Sequence, residues 1–164
     1  MAKNTEFSIG EHVVYPLQGV GIVKDIKERT VRNENVMYYV IYLDISDMTV
    51  SIPVAKAAQI GIRSLVSPSV AKKALDSICE KYEPVNVDWK ARYQLNVDLV
   101  KEGSITSIVK VVQGLYYRSK IKELPVQERK LYDNALRLLI DECAYSMKKA
   151  PEEIEQTIFA NLEK

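Results

Sequence analysis

The chain has 164 residues, of which 47% are hydrophobic and 27% charged, with a formal net charge of +1 and a single histidine. That length suits one medium domain or two small ones, and the composition excludes a disordered acidic tail, a uniformly basic nucleic-acid coat and a disulfide-rich mini-domain. No signal-peptide core opens the sequence and no apolar run approaches the ~18 residues that a membrane span needs, so a cytoplasmic protein is expected.

Residues 7 to 60 are rich in Val, Ile, Tyr and Thr, punctuated by turn formers at 16–21, 33–35 and 46–47. This pattern predicts strands over about 12–15, 20–31, 36–45 and 48–53, with a fifth near 58–60. Such short links favour an antiparallel meander. In VGIVKDIKERTV the apolar positions switch face near Lys24 and Asp25, which marks a strong bend, while Gly10, Gly19 and Gly21 relieve crowding at corners. The predicted unit is a small SH3-like or Tudor-like barrel.

Beyond GIRSLVSPS the hydrophobic period changes from two to 3.6, placing a domain boundary between residues 66 and 67. Ser69 is expected to cap a helix reaching about Tyr82, before Pro84. Asp88 caps a second helix through Lys101, closed by Gly103, and Ser104 caps a third to about Arg118. Pro125 opens a fourth helix towards Met147 and Pro151 a last one. The fold class is therefore α+β with two domains, a β-barrel over 1–66 and an all-α bundle of about five helices over 67–164. Cys79 and Cys143 fall in separate helices and are expected to be buried free thiols.

Charge is unevenly spread. Residues 81 to 130 carry ten basic against six acidic side chains, whereas residues 131 to 164 carry four against seven. The only tryptophan, Trp89, lies in the basic part, in VNVDWKARY. At the first turn of a helix, with Lys90 and Arg92 beside it, its ring is expected to keep an exposed edge. An aromatic among cations suits a groove in which basic side chains hold phosphates while the ring wedges against a base, a readout of shape rather than sequence.

Catalytic chemistry finds little support. His12, in HVVY, has no adjacent nucleophile, and no closely spaced set of His, Cys and carboxylates suggests a metal. The stretch GVG at 19–21 lacks the rest of a dinucleotide fingerprint, and no phosphate-binding GxxxxGK[ST] occurs. The neighbours Asp141 and Glu142, like Glu152 and Glu153, diverge on helices and are expected to be solvated. No catalytic residue, metal, cofactor or small-molecule substrate is expected.

Taken together, FSIGEHVVYPLQGVGIVKDIKERTV, YYVIYL, MTVSIPV and AAQIGIRSLVS, followed by VDWKARYQLNVDLVKEGSITSIVKVVQGLYYRSKIKELPVQERKLYDNALRLLIDEC, resemble the CarD family of bacterial transcription regulators. The resemblance spans most of residues 7 to 149. It implies a Tudor-like domain that binds the β subunit of RNA polymerase and a helical domain that contacts promoter DNA near the upstream edge of the transcription bubble, stabilising the open complex and bringing the protein to the nucleoid. Trp89 matches the tryptophan that the family inserts into the minor groove. Lys90 and Arg92 are the nearest phosphate candidates, with Arg118, Lys120 and Lys122 further along the same basic stretch. Arg29 matches a basic residue used against polymerase. Ser51 stands where relatives carry a second one, and Ala91 and Gln94 where basic residues can flank the tryptophan, so a modest affinity for free DNA is expected. The alternative is a protein-only adaptor, in which the barrel binds one partner and the bundle another, with Trp89 as an interface anchor.

Overall fold

The alternating stretches of the first third form an antiparallel sheet in the computed structural model, which describes residues 5–164. Its strands are β1 (His12–Tyr15), β2 (Gly19–Val31), β3 (Glu34–Leu43), β4 (Met48–Pro53) and β5 (Arg63–Ser64). They lie in the order β4-β3-β2-β1-β5. The expected barrel is thus an open five-stranded sheet, since β5 is only two residues long and does not join β4.

The change of face expected in β2 is a β-bulge between Val23 and Asp25. Before it, Gly21 and Val23 oppose Leu43 and Ile41; after it, Ile26 opposes Tyr39, so the inward positions pass from odd to even. This keeps Val23, Tyr39, Ile41 and Leu43 in one core on both sides of the bend, with Phe7 against Tyr39 at 5.5 Å between ring centroids. Tyr39 is fully buried, and its hydroxyl accepts a bond from the Phe7 backbone N–H at 3.2 Å. A side chain at Gly21 has no room: its Cβ would come within 2.8 Å of Ile41 Cγ2 and 3.0 Å of the Tyr42 carbonyl.

The fifth strand expected at 58–60 is instead a short helix, α1 (Ala57–Ile60), reached through a single 3₁₀ turn at Val54–Lys56. Gly61, at φ 93°, ends it in the left-handed conformation, and the chain extends into β5 only afterwards. Ala57, at the start of this turn, and Ile62, just past it, fill the sheet core from this corner.

A second compact unit runs Val66–Lys164, the first ending at Leu65. It contains α2 (Pro68–Ser77), α3 (Trp89–Glu102), α4 (Ile105–Ile121), α5 (Val126–Met147) and α6 (Pro151–Leu162). The cap of α2 is Ser67 and not Ser69: Pro68, with no N–H to satisfy, takes the first helical position, and the Ser67 hydroxyl accepts from Val70 N at 3.3 Å. The same helix stops at Ser77, short of Tyr82, where the amide of Gln113 takes the carbonyls of Ile78 (3.0 Å) and Glu80 (2.8 Å) out of the helical ladder. Leu115, Leu139, Ile154, Ile158 and Leu162 lead the core, and the Asn161 amide donates to the Leu75 carbonyl at 2.8 Å.

Two expectations about polar groups are corrected here. Glu142 is buried, accepting from Val66 N at 3.1 Å, while Ser146 donates to the Val66 carbonyl at 2.6 Å; together they hold the first residue of the unit. Cys79 is exposed, past the end of α2, and only Cys143 is buried.

Substituting Gly21→Ala should destabilise the protein by about 1–3 kcal/mol, the usual cost of overpacking, as a lowered midpoint in urea unfolding of the full chain. Burial, with Glu142 adding to it, pushes the Cys143 thiol up to about 12 from its ordinary 9.0. The unfolded chain therefore loses this proton first as pH rises, so the contribution of this group to stability is complete below pH 9.0 and is lost towards 12. At neutral pH, iodoacetamide should label Cys79 alone in the folded protein and both cysteines in denaturant, read by mass spectrometry.

Candidate nucleic-acid interface

Trp89 is the first residue of α3, and the carboxylate of Asp88 caps the helix by accepting from Ala91 N at 2.8 Å. The residue is 41% exposed. Lys90 stands with its ammonium 6.0 Å from the ring centroid, at the outer limit of a cation–π contact, so an anion meeting the ring meets this charge as well.

Beyond the turn that follows α2, residues 81–88 run without helix or strand as a strap across α4, bent where Val87 N–H donates to the Val85 carbonyl at 3.1 Å. Tyr82 anchors it by stacking on Tyr117, with centroids 5.6 Å apart and planes 18° from parallel. Gly114 makes that approach possible, because a Cβ there would lie 3.0 Å from the Tyr82 hydroxyl. Between strap, α3 and α4 opens a cavity of about 520 Å³. Its walls are apolar at Val85, Val87, Trp89, Tyr117 and Ile121, and Arg92 and Arg118 also line it. Val85, Val87 and Ile121 are exposed like Trp89, leaving an apolar rim beside cationic groups.

The fold thus brings Trp89, Lys90, Arg92 and Arg118 together. Two other expected residues are placed differently: Lys120 lies over the Tyr116 ring at 5.0 Å, and Lys122 follows the end of α4 in extended conformation. Arg92, read from the sequence as a phosphate candidate, is paired. Its Nε and Nη2 each donate to a carboxylate oxygen of Glu128 at 2.9 Å. Glu128 has no exposed side-chain surface and Arg92 only 15%. Sequence reasoning missed Glu128, which is separated from Arg92 by 36 residues and carries no periodic signal. It also missed the strap, whose tyrosine gave no hint of its stacking partner.

In the N-terminal unit, Arg29 lies on β2 opposite Val36, its guanidinium carbon 5.5 Å from the centre of the Tyr38 ring. Ser51 lies on β4 opposite Val40. Because Val36, Tyr38 and Val40 alternate onto one side of β3, Arg29 and Ser51 share the outward face of the sheet. Ser51 belongs to the edge strand, whose outer backbone groups are available for pairing among the described residues. Among those residues no group of His, Cys, Asp and Glu could hold a metal ion, and no helix is long and apolar enough to cross a membrane.

Known families match both units. Residues 7–66 match the CarD-like/TRCF RID domain and residues 73–159 the CarD, C-terminal domain. YdeB, a candidate transcription factor of Bacillus subtilis (strain 168), is 39% identical over 137 residues, covering 83% of this chain and 89% of that protein. The chain belongs to the CarD family. Membership accounts for the pairing of the two units, a Tudor-like sheet and a helical bundle, in a single chain.

Replacing Asp88 with Ala should cost about 0.5–2 kcal/mol through the lost cap. Because the first turn of α3 carries Trp89, the same substitution should also shift the tryptophan emission of the folded protein, whereas an Ala substitution at the exposed Glu155 should not.

Proposed function

We propose that this protein acts in transcription as a tethered stabiliser of opened promoter DNA. Its N-terminal sheet binds the β subunit of RNA polymerase, and its helical unit contacts DNA at the upstream edge of the bubble. The observation that carries this reading is the half-exposed Trp89 at a capped helix start, flanked by Lys90 and Arg118 and set beside an apolar cavity. Family membership supports the same role.

On the polymerase side, the edge strand β4 offers main-chain groups to an extended strand of the partner, and Arg29 on the same face supplies a charge that fixes register. With serine at position 51, that face offers one cation fewer, so backbone pairing carries more of the contact. Docking on polymerase raises the local concentration of the helical unit at the promoter, and weak DNA contacts then suffice. Lys90 and Arg118 hold phosphates, with Lys120 and Lys122 as outer contacts, while the Trp89 ring packs against a base step that opening has unstacked. The equilibrium moves only by the difference in affinity between opened and closed DNA. A difference of ~1.4 kcal/mol changes their ratio about tenfold.

The exposed apolar rim of Val85, Val87 and Ile121 also suits a protein partner, which is the adaptor reading. Salt separates the two, because phosphate contacts release counterions and protein contacts far fewer.

With a cognate bacterial RNA polymerase, the full-length protein should lengthen the lifetime of promoter open complexes, and its Trp89→Ala form should lose most of that gain while still binding polymerase. Stacked aromatics replaced by Ala lose roughly 1–3 kcal/mol, so the gain should fall about fivefold or more. Equal lifetimes for both forms, or a gain indifferent to salt, would leave the adaptor as the better reading.

A further inference from the structure

The half of α3 that carries Trp89 has little apolar attachment to the bundle. Val100, near the far end, is the one buried residue of the helix, and Leu99 packs beside it. Along the first two turns, Ala91, Gln94 and Leu95 are exposed and only Arg92 and Tyr93 are half-buried. What ties this end down is polar: the two bonds from Arg92 to both carboxylate oxygens of Glu128, at the third position of α5.

We propose that Arg92 is a positioning residue, whose forked contact with Glu128 fixes the first turn of α3 and so sets the direction and mobility of the Trp89 ring. This rests on the reading of Trp89 as the DNA-contacting group. Arg92 lies three residues beyond Trp89 and therefore on the same side of the helix, and both border the same cavity. A guanidinium held by two bonds to one carboxylate fixes rotation as well as distance, which a single ammonium contact does not. A ring held before it meets DNA loses less freedom on binding. Since the charge of Arg92 is already balanced by a buried carboxylate, Arg92 leaves the set of phosphate ligands.

The two roles of Arg92 predict opposite signs. If it were a phosphate ligand restrained by Glu128, Glu128→Gln would release it and strengthen the DNA contact; as a positioning residue, it loses its anchor and the contact weakens. Trp89 is the only tryptophan, so fluorescence anisotropy decay and acrylamide quenching of the full chain report this ring alone. In Glu128→Gln we expect a larger fast component in the anisotropy decay and steeper quenching, with helical circular dichroism retained. The open-complex lifetime should move more than halfway from the native value towards that of Trp89→Ala, with the slope of its salt dependence unchanged. Glu153→Gln, which removes the exposed pair between Lys149 and Glu153 at 3.7 Å, should leave every one of these readings at the native value.

Unchanged ring mobility in Glu128→Gln, or a lifetime longer than native, overturns the positioning role. Should that variant fail to fold, Arg92→Lys keeps the charge and loses the fork, and the same fluorescence change is expected of it; native mobility there is equally fatal. The fluorescence needs no DNA, so a loosened ring combined with a Trp89→Ala form of native lifetime sinks the DNA reading and leaves the positioning intact.

Discussion

Glu128 is a carboxylate with no solvent exposure, and the side chain that meets it ties down the Trp89 end of α3. A buried charge without a partner costs several kcal/mol, so some cation has to reach it, and Arg92 does so from the end of α3 that lies away from its packed apolar residues, Leu99 and Val100. Of the apolar side chains of α3, Leu99 and Val100 pack at its far end, whereas Trp89 and Leu95, on either side of Arg92, remain exposed. At the Trp89 end an ion pair holds the helix, by a polar residue between the two. Replacing it with well-packed apolar groups could stabilise the bundle, so its presence is better explained by the orientation that it specifies than by stability.

Around that anchor, the exposed site is assembled from pieces that are each fixed elsewhere. Asp88 ends the strap and begins α3 in one residue, Gln113 holds the carbonyls where α2 gives way to the strap, and Tyr82 rests on Tyr117 over the space left by Gly114. None of these contacts uses the Trp89 ring. The aromatic edge, the neighbouring ammonium of Lys90 and the apolar rim therefore stay exposed, the arrangement that the proposed readout of shape by wedging requires. In the N-terminal unit, the bulge after Val23 keeps one core continuous while the outward face, with Arg29 and Ser51, stays free of core duties.

Much of this could be read from the residues, and the failures have physical causes. Alternation located the first four strands, and the parity change near Lys24 located the bulge, because one face of a strand must stay inward. The caps Asp88 and Ser104 and the stop at Gly103 were legible because each acts within four residues of its target. Where a local signal had a competitor, the reading slipped. Ser67 and Ser69 both precede an amphipathic run, and Pro68 decides between them. At 57–60, β-rich surroundings masked a single helical turn. Closure of the barrel, burial of Glu142 and the partner of Arg92 depend on contacts between distant parts of the chain, on which periodicity is silent. The tryptophan could be singled out from its neighbours, but not the carboxylate that holds its helix.

In the proposed function, Trp89 distinguishes opened from paired promoter DNA when the protein is docked on polymerase. That distinction is tested most directly by incorporating 5-fluorotryptophan, which gives this chain a single fluorine resonance, and recording it with polymerase bound to a fully paired and to a pre-melted promoter. A shifted or broadened resonance is expected on the pre-melted promoter, and a position close to that of the DNA-free complex on the paired one. The same resonance on both promoters, with polymerase binding demonstrated, would contradict it.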